Sequence, residues 1–233
     1  MKKTFTLFIL IFLSQCFKSN AQQGLIAGIV IQPSLITMRP SVFSNSGNEF
    51  DPDFNQTLRT SFGAQLDYHF SEYLGVGANL IYSPQGQKFY VPNDSGKYES
   101  HYYKFNFIKI PIFFSYNSGG AKARLIGTVG PQLMILTSAK DTYNGHDIDL
   151  TSNYAPLNLG FHFGVGMGFF LGNHIMMTIA PNFDIAFLNY NYSYDDSAPK
   201  AYVSKSPVTT CFGMQFGLKY VKNETADSET SDQ

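Results

Sequence analysis

Hydrophobic and polar residues alternate along most of this chain with a period of two, the repeat of a strand with two unlike faces. From residue 157 the odd positions are Leu157, Leu159, Phe161, Phe163, Val165, Met167, Phe169 and Leu171, while the even ones include Asn158, His162 and the glycines 160, 164, 166 and 168. Residues 208–220 repeat the pattern in the other parity, with Phe212, Met214, Phe216, Leu218 and Tyr220 against Cys211, Gly213, Gln215, Gly217 and Lys219. Residues 58–70 set Phe62, Ala64, Leu66, Tyr68 and Phe70 against Arg59, Ser61, Gln65, Asp67 and His69, and residues 175–187 behave alike. Segments 25–37, 74–87, 103–116 and 122–137 read as strands with weaker contrast, so the pattern predicts eight strands.

The separators alternate in length. Residues 71–73, 117–121 and 172–174 are tight, whereas 38–57, 88–102, 138–155 and 189–205 are long and polar. Short turns at one end and long loops at the other predict an all-β, eight-stranded antiparallel up-and-down transmembrane β-barrel, with both termini on the short-turn, periplasmic side. Each strand is long enough to cross a bilayer at a tilt, for which about 9–11 residues suffice. A spanning sheet has to close on itself, because hydrocarbon offers its edges no hydrogen bonds. A soluble sandwich would carry a mixed, solvated face, but the face opposite the large residues here is glycine-rich with isolated charges. Two tyrosine- and phenylalanine-rich girdles are expected: Tyr68, Phe70, Tyr73, Tyr116, Phe169, Phe170 and Tyr220 at the tight turns, and Tyr102, Tyr103, Tyr154, Tyr190, Tyr192 and Tyr194 at the other rim.

Composition sharpens this picture. Of 233 residues only 14% are charged, the net charge is −1 and aromatic residues reach 16%, which leaves no basic surplus for nucleic acid and too much apolar content for disorder. The length suits one domain. Lys2 and Lys3, an apolar run over residues 4–13 and Ser19-Asn20-Ala21 form the three parts of a signal peptide, read as residues 1–21. The barrel domain is then residues 22–222, and residues 223–233 form a polar, disordered tail. Cys16 after Leu13-Ser14-Gln15 imitates a lipoprotein box in which Gln15 replaces the expected small residue. Loss of the leader leaves Cys211 alone, so no disulfide within the mature chain is expected.

Three short stretches carry a family resemblance: Leu80-Ile81-Tyr82-Ser83-Pro84-Gln85-Gly86, Phe107-Ile108-Lys109-Ile110-Pro111 and Gly130-Pro131-Gln132-Leu133. In these the chain resembles the PorT-like family of outer-membrane β-barrel proteins of Bacteroidota, often labelled porin family proteins. The resemblance spans nearly the whole mature chain and implies the barrel fold and the cell outer membrane. It also implies an association with protein secretion, the role of the family's founding member. Phe107 stands where the family more usually has tyrosine, and a polar tail follows Tyr220, where such barrels commonly end on an aromatic residue.

Parity places Arg59, Asp67, His69, Lys109, Arg124, His162, Asp184, Gln215 and Lys219 in the lumen. An eight-stranded barrel is only wide enough for side chains to fill, so a plugged interior of ion pairs is expected. Arg124, Asp67 and Asp184 are expected in one network. Neither a nucleophile nor a metal-ligand signature is present, so no catalytic residue, metal site or cofactor is expected, and His69, His101, His146, His162 and His174 read as hydrogen-bonding residues. The loop carboxylates (Glu49, Asp51 and Asp53; Asp141, Asp147 and Asp149; Asp195 and Asp196) match no calcium loop and read as solvated. The function expected is a structural or interaction protein, a monomeric barrel whose partners are outer-membrane lipid and envelope or secretion-complex proteins, not nucleic acid. The competing readings are a narrow channel or small-ligand module, and a lipid-modifying enzyme.

Overall fold

A computed structural model of the chain describes residues 24–39, 53–92, 98–118, 122–143, 145–187 and 208–221. The expected leader, the tail, loop tyrosines 190, 192 and 194, and most of the first and last long loops lie outside them. Among the described residues are ten strands: β1 (Gly24–Arg39), β2 (Asp53–Asn55), β3 (Thr57–His69), β4 (Leu74–Pro92), β5 (Tyr98–Asn117), β6 (Ala123–Tyr143), β7 (His146–Asp149), β8 (Leu157–Phe170), β9 (Ile175–Phe187) and β10 (Val208–Val221). All but β2 and β7 are long, and these eight pair antiparallel in the ring β1-β3-β4-β5-β6-β8-β9-β10, with β10 returning to β1. The barrel therefore closes with nearest neighbours in sequence order.

Alternation sets the two faces as expected. Leu25, Ile29, Ile31 and Leu35 of β1, Phe62 and Leu66 of β3, and Phe212, Phe216 and Leu218 of β10 lie on the exposed outer surface, while Gln32, Ser34, Gln65, Asp67, Gln215 and Lys219 between them are buried. That reverses the ordinary soluble arrangement and matches a wall facing hydrocarbon. Among the described residues no helix is long and apolar enough to span a membrane; the crossing is made by strands. The tight turn after β3 is locked by Ser71, whose hydroxyl accepts from the backbone N–H groups of Tyr73 (3.3 Å) and Leu74 (2.9 Å). Inside, β8 lies so close to β9 that a Cβ at Gly166 would sit 2.2 Å from the Ile179 carbonyl oxygen, which is why that face is built from glycine.

Three expected loops turn out to be partly strand: 38–57 holds β2, and two others build one ribbon. Residues 88–102 and 138–155 contain the ends of β4, β5 and β6 and all of β7, a ribbon that continues past the apolar belt. Backbone ladders sustain it, with Ala139, Leu150 and Tyr154 packed inward. On β6 the ribbon begins at a β-bulge, where Phe107 pairs with Leu136 but Asn106 pairs with Ser138. The extra residue, Thr137, donates its hydroxyl to the Asn106 carbonyl (2.9 Å). One inserted residue reverses the parity beyond it: Ala139 and Asp141 turn inward and are buried, and Lys140 turns outward.

The girdles are likewise only partly as expected. Tyr68, Tyr73, Tyr116 and Tyr220 are exposed at the tight-turn end, but Phe170 packs inward with Ile26, Met176 and Val221. Tyr154, expected at the outer rim, is buried against the edge of Phe105, with ring centroids 5.0 Å apart.

Candidate functional site

The lumen divides into three levels. At the tight-turn end Lys219 Nζ on β10 donates to Asp67 Oδ2 on β3 (3.0 Å), and Gln65 Nε2 reaches both oxygens of the same carboxylate (3.1 and 2.9 Å). His69 hydrogen-bonds with Ser115 Oγ (3.4 Å) and with Asn117 Nδ2 (3.3 Å). The Arg124 guanidinium lies 4.8 Å over the Phe170 ring, a cation–π contact. Asp67, Lys219, His69, Ser115 and Asn117 border a cavity of about 20 Å³, also lined by Thr128 and Met176, room for roughly one water.

Above this floor Asp184 organises the middle of the bore. Strand register sets it beside His162 on β8 and Cys211 on β10. Its Oδ1 bonds with His162 Nδ1 (2.7 Å), while its Oδ2 accepts from Lys109 Nζ (3.1 Å) and from Gln32 Nε2 (3.3 Å). Lys109 belongs to β5, three strands around the ring from β9, so this ion pair spans the bore rather than running along the wall. Lys109 Nζ also donates to Cys211 Sγ (3.8 Å) and His162 Nε2 meets Thr128 Oγ1 (3.2 Å). Both ends of the Lys109–Asp184 pair are only 3% exposed. A buried ion at this depth is tolerated because each of its polar atoms has a partner.

The third level, toward the long-loop end, is centred on an apolar cluster, with Gln85, Asn158 and Thr209 buried on the wall beside it. Ile36, Phe105, Phe107, Met134, Leu136, Ala139, Tyr154, Ala186 and Cys211 form one buried cluster with Tyr103 and Leu150 packed against it. Phe107 is 0% exposed. This cap has no counterpart in the sequence reading. Its signal was faint, because β5 between Phe105 and Phe114 is apolar at nearly every position and alternation cannot say which rings turn inward.

The residues expected in the lumen thus fall into distinct groups. Asp67 and Lys219 pair with each other, Asp184 joins Lys109 and His162, His69 bonds to β5, and Gln215 is buried on the β10 wall. The single network expected for Arg124, Asp67 and Asp184 is divided: Lys219 holds one carboxylate, while Lys109 and His162 hold the other. Arg59 departs furthest. Its guanidinium lies 5.2 Å from the ring of Tyr102, outside the polar lumen groups. Asp184, His162 and Thr128 are connected in the order of a hydrolytic relay, yet the space adjoining Thr128 is the water-sized cavity, too small for a lipid acyl chain. Among the described residues no group of His, Cys, Asp and Glu is arranged to hold a metal ion.

Comparison with known proteins agrees with this architecture. A family model described as outer membrane protein beta-barrel domain matches residues 20–193. No curated protein matches the chain in sequence. Among solved structures, the outer membrane protein OprG from Pseudomonas aeruginosa is similar at 11% identity and a TM-score of 0.52, over 88% of this chain and 98% of that one. The outer membrane protein AlkL, determined by solid-state NMR in DMPC lipid bilayers, is similar at 16% identity and a TM-score of 0.55, over 88% and 93%. At these identities the likeness is one of fold.

Proposed function

Since the chain belongs to the outer membrane protein beta-barrel domain family and resides in the outer membrane, we propose that it is a closed, non-conducting barrel that acts as an interaction protein at the cell surface. The observation that carries this reading is the Lys109–Asp184–His162 bridge across the bore, roofed by the apolar cap around Phe107. An ion entering the lumen would have to break a buried ion pair, for which removing one partner costs about 3–5 kcal/mol, and pass the buried apolar cluster around Phe107. Binding therefore falls to the parts beyond the lumen: the ribbon of β4, β5, β6 and β7 and the long loops.

The finer reading is an accessory role in protein secretion without catalysis, as the likeness of residues 80–86, 107–111 and 130–133 to the PorT-like family of Bacteroidota implies. The test is single-channel recording of the purified chain in planar bilayers, paired with affinity capture from crosslinked envelopes. Wild-type protein should give no steady conductance steps and should bring down envelope or secretion-complex proteins reproducibly. Steady ohmic steps abolished by filling the cap further would establish a channel instead, and capture of lipid products alone would point to an enzyme.

A further inference from the structure

Past the apolar belt, the outer face of the ribbon gathers cations around one aromatic ring. Tyr102 and Lys104 project outward from β5, since their neighbours Tyr103 and Phe105 pack into the cap. The register sets Lys88 of β4 opposite Tyr102, and Gly86 opposite Lys104. Gly86 is what allows the ring to lie against the wall: a Cβ there would meet the Tyr102 hydroxyl at 2.7 Å and Cζ at 3.0 Å. Three charges then converge on the ring, with Arg59 Cζ at 5.2 Å, Lys104 Nζ at 5.7 Å and Lys88 Nζ at 5.9 Å from its centroid.

Arg59 reaches this place from lumen parity on β3. The β3–β4 ladder stops at Phe62 and Tyr82, and beyond it the two strands are joined by side chains: Ser61 to Ser83 (2.9 Å), and Thr57 to the Gly86 carbonyl. The stretch without ladder bonds is the route by which the guanidinium meets an outward ring. Lys140, turned outward by the bulge at Thr137, stands directly opposite Lys104. Like charges directly opposite on adjacent strands repel. Asp147 relieves that pair by bonding Lys104 (3.2 Å) and Lys140 (3.7 Å). Among the side chains described, no carboxylate lies within ion-pair distance of Arg59 or Lys88.

Height identifies what faces this cluster. Lys104 is 12 residues from Tyr116 of the periplasmic girdle along β5. At about 3.4 Å per residue and a tilt of about 40°, that is roughly 30 Å, just past an apolar belt about 25 Å tall. The cations therefore sit at the level of the outer-leaflet headgroups, with stems against the wall and charged ends in the interface. We propose that Arg59, Lys88 and Lys104, arrayed on Tyr102, bind the phosphorylated headgroup of an outer-leaflet lipid. Arg59 supplies a planar fork for two phosphate oxygens, the lysines add point charges, and Tyr102 keeps the three from splaying into water. This rests on the outer-membrane location and not on whether the lumen conducts.

The test reconstitutes the full chain into phosphatidylcholine vesicles carrying a minor fraction of lipid A, either with its phosphates or with them removed, and weighs the lipid that stays bound after mild detergent extraction. The wild-type protein should retain the phosphorylated lipid several-fold over the dephosphorylated one. The Arg59→Gln/Lys88→Gln/Lys104→Gln variant, still folded by its heat-dependent gel mobility, should lose that preference. Equal retention of the two lipids by the wild-type chain overturns the proposal without recourse to any variant, as does a folded variant that keeps the preference. Abolition of the preference by millimolar inorganic phosphate would assign the site to a free anion and overturn the lipid assignment.

Discussion

Two lysine–aspartate pairs link strands of this barrel at nearly the same length and in opposite settings. Lys109 and Asp184 meet at 3.1 Å in the bore, each 3% exposed, whereas Lys104 and Asp147 meet at 3.2 Å on the outer ribbon, at 39% and 40% exposure. Distance alone would rank them equal. Burial separates them, because the inner pair gave up its hydration to form and each ion now depends on the other, while the outer pair can be rehydrated at once. On the proposed reading, the inner pair keeps the bore shut. The outer one, being exposed, contributes little to holding the fold.

The largest expected effect tests the inner side of that comparison. Asp184→Ala leaves Lys109 and His162 facing an apolar gap and should destabilise the folded barrel by about 3–5 kcal/mol, read as a fall in the urea midpoint for unfolding from lipid vesicles. Replacing both ions together, Lys109→Met with Asp184→Leu, should recover most of the loss, because no charge is then stranded. A neighbouring apolar change that keeps volume, Met134→Leu, should cost less than about 1.5 kcal/mol. If Asp184→Ala cost no more than Met134→Leu, the buried pair would not hold the bore, and the proposed plug would lose its support.

The division between these regions also marks what the sequence could reveal. Strand count, direction and wall polarity were legible because lipid and lumen demand opposite side chains, so β8 and β10 alternate sharply. Pairings inside the lumen were not, since they depend on strand register and tilt, which bring Lys109 to Asp184 across three strands and keep Asp67 for Lys219. The cap around Phe107 escaped because the alternation is weak there, and Tyr154 joins it from a segment read as loop. Beyond the belt both faces of β4, β5 and β6 mix polar and apolar residues, so nothing in the pattern separated ribbon from loop. Arg59 had lumen parity, and only the end of the β3–β4 ladder explains its turn toward Tyr102.

A smaller effect is expected on the outer side. Asp147→Asn removes the carboxylate between Lys104 and Lys140, yet the global unfolding midpoint should not move, because exposed pairs are weak and screened. The change belongs in local hydrogen exchange, where β7 amides should open faster while those of β8 and β9 hold. Raising the salt from low to near-molar should reproduce that pattern in the wild-type chain and leave the Lys109–Asp184 level protected, since its ions are shielded from the electrolyte. Loss of protection in β8 on Asp147→Asn would mean that ribbon and barrel unfold as one unit, and the comparison would fail.

The smallest and most local effect is a titration. Asp147 lies on β7 beyond the membrane, where the Thr142 hydroxyl (2.6 Å) and the Lys104 ammonium (3.2 Å) donate to one oxygen and hold its carboxyl below the ordinary Asp value of 3.8. Its depressed value means the folded ribbon binds this proton less readily than the unfolded chain does. The contribution is therefore complete above pH 3.8 and fades as pH falls through the lower folded value. Carboxyl carbon NMR of the vesicle-embedded chain should show Asp147 titrating below 3.8. Thr142→Val and Lys104→Gln should each move that midpoint upward, because each removes a hydrogen bond to the carboxylate. A midpoint at or above 3.8, or no displacement by either substitution, would show that the ribbon does not hold Asp147 in this geometry and would remove the placement of Lys104 and Lys140 around that carboxylate.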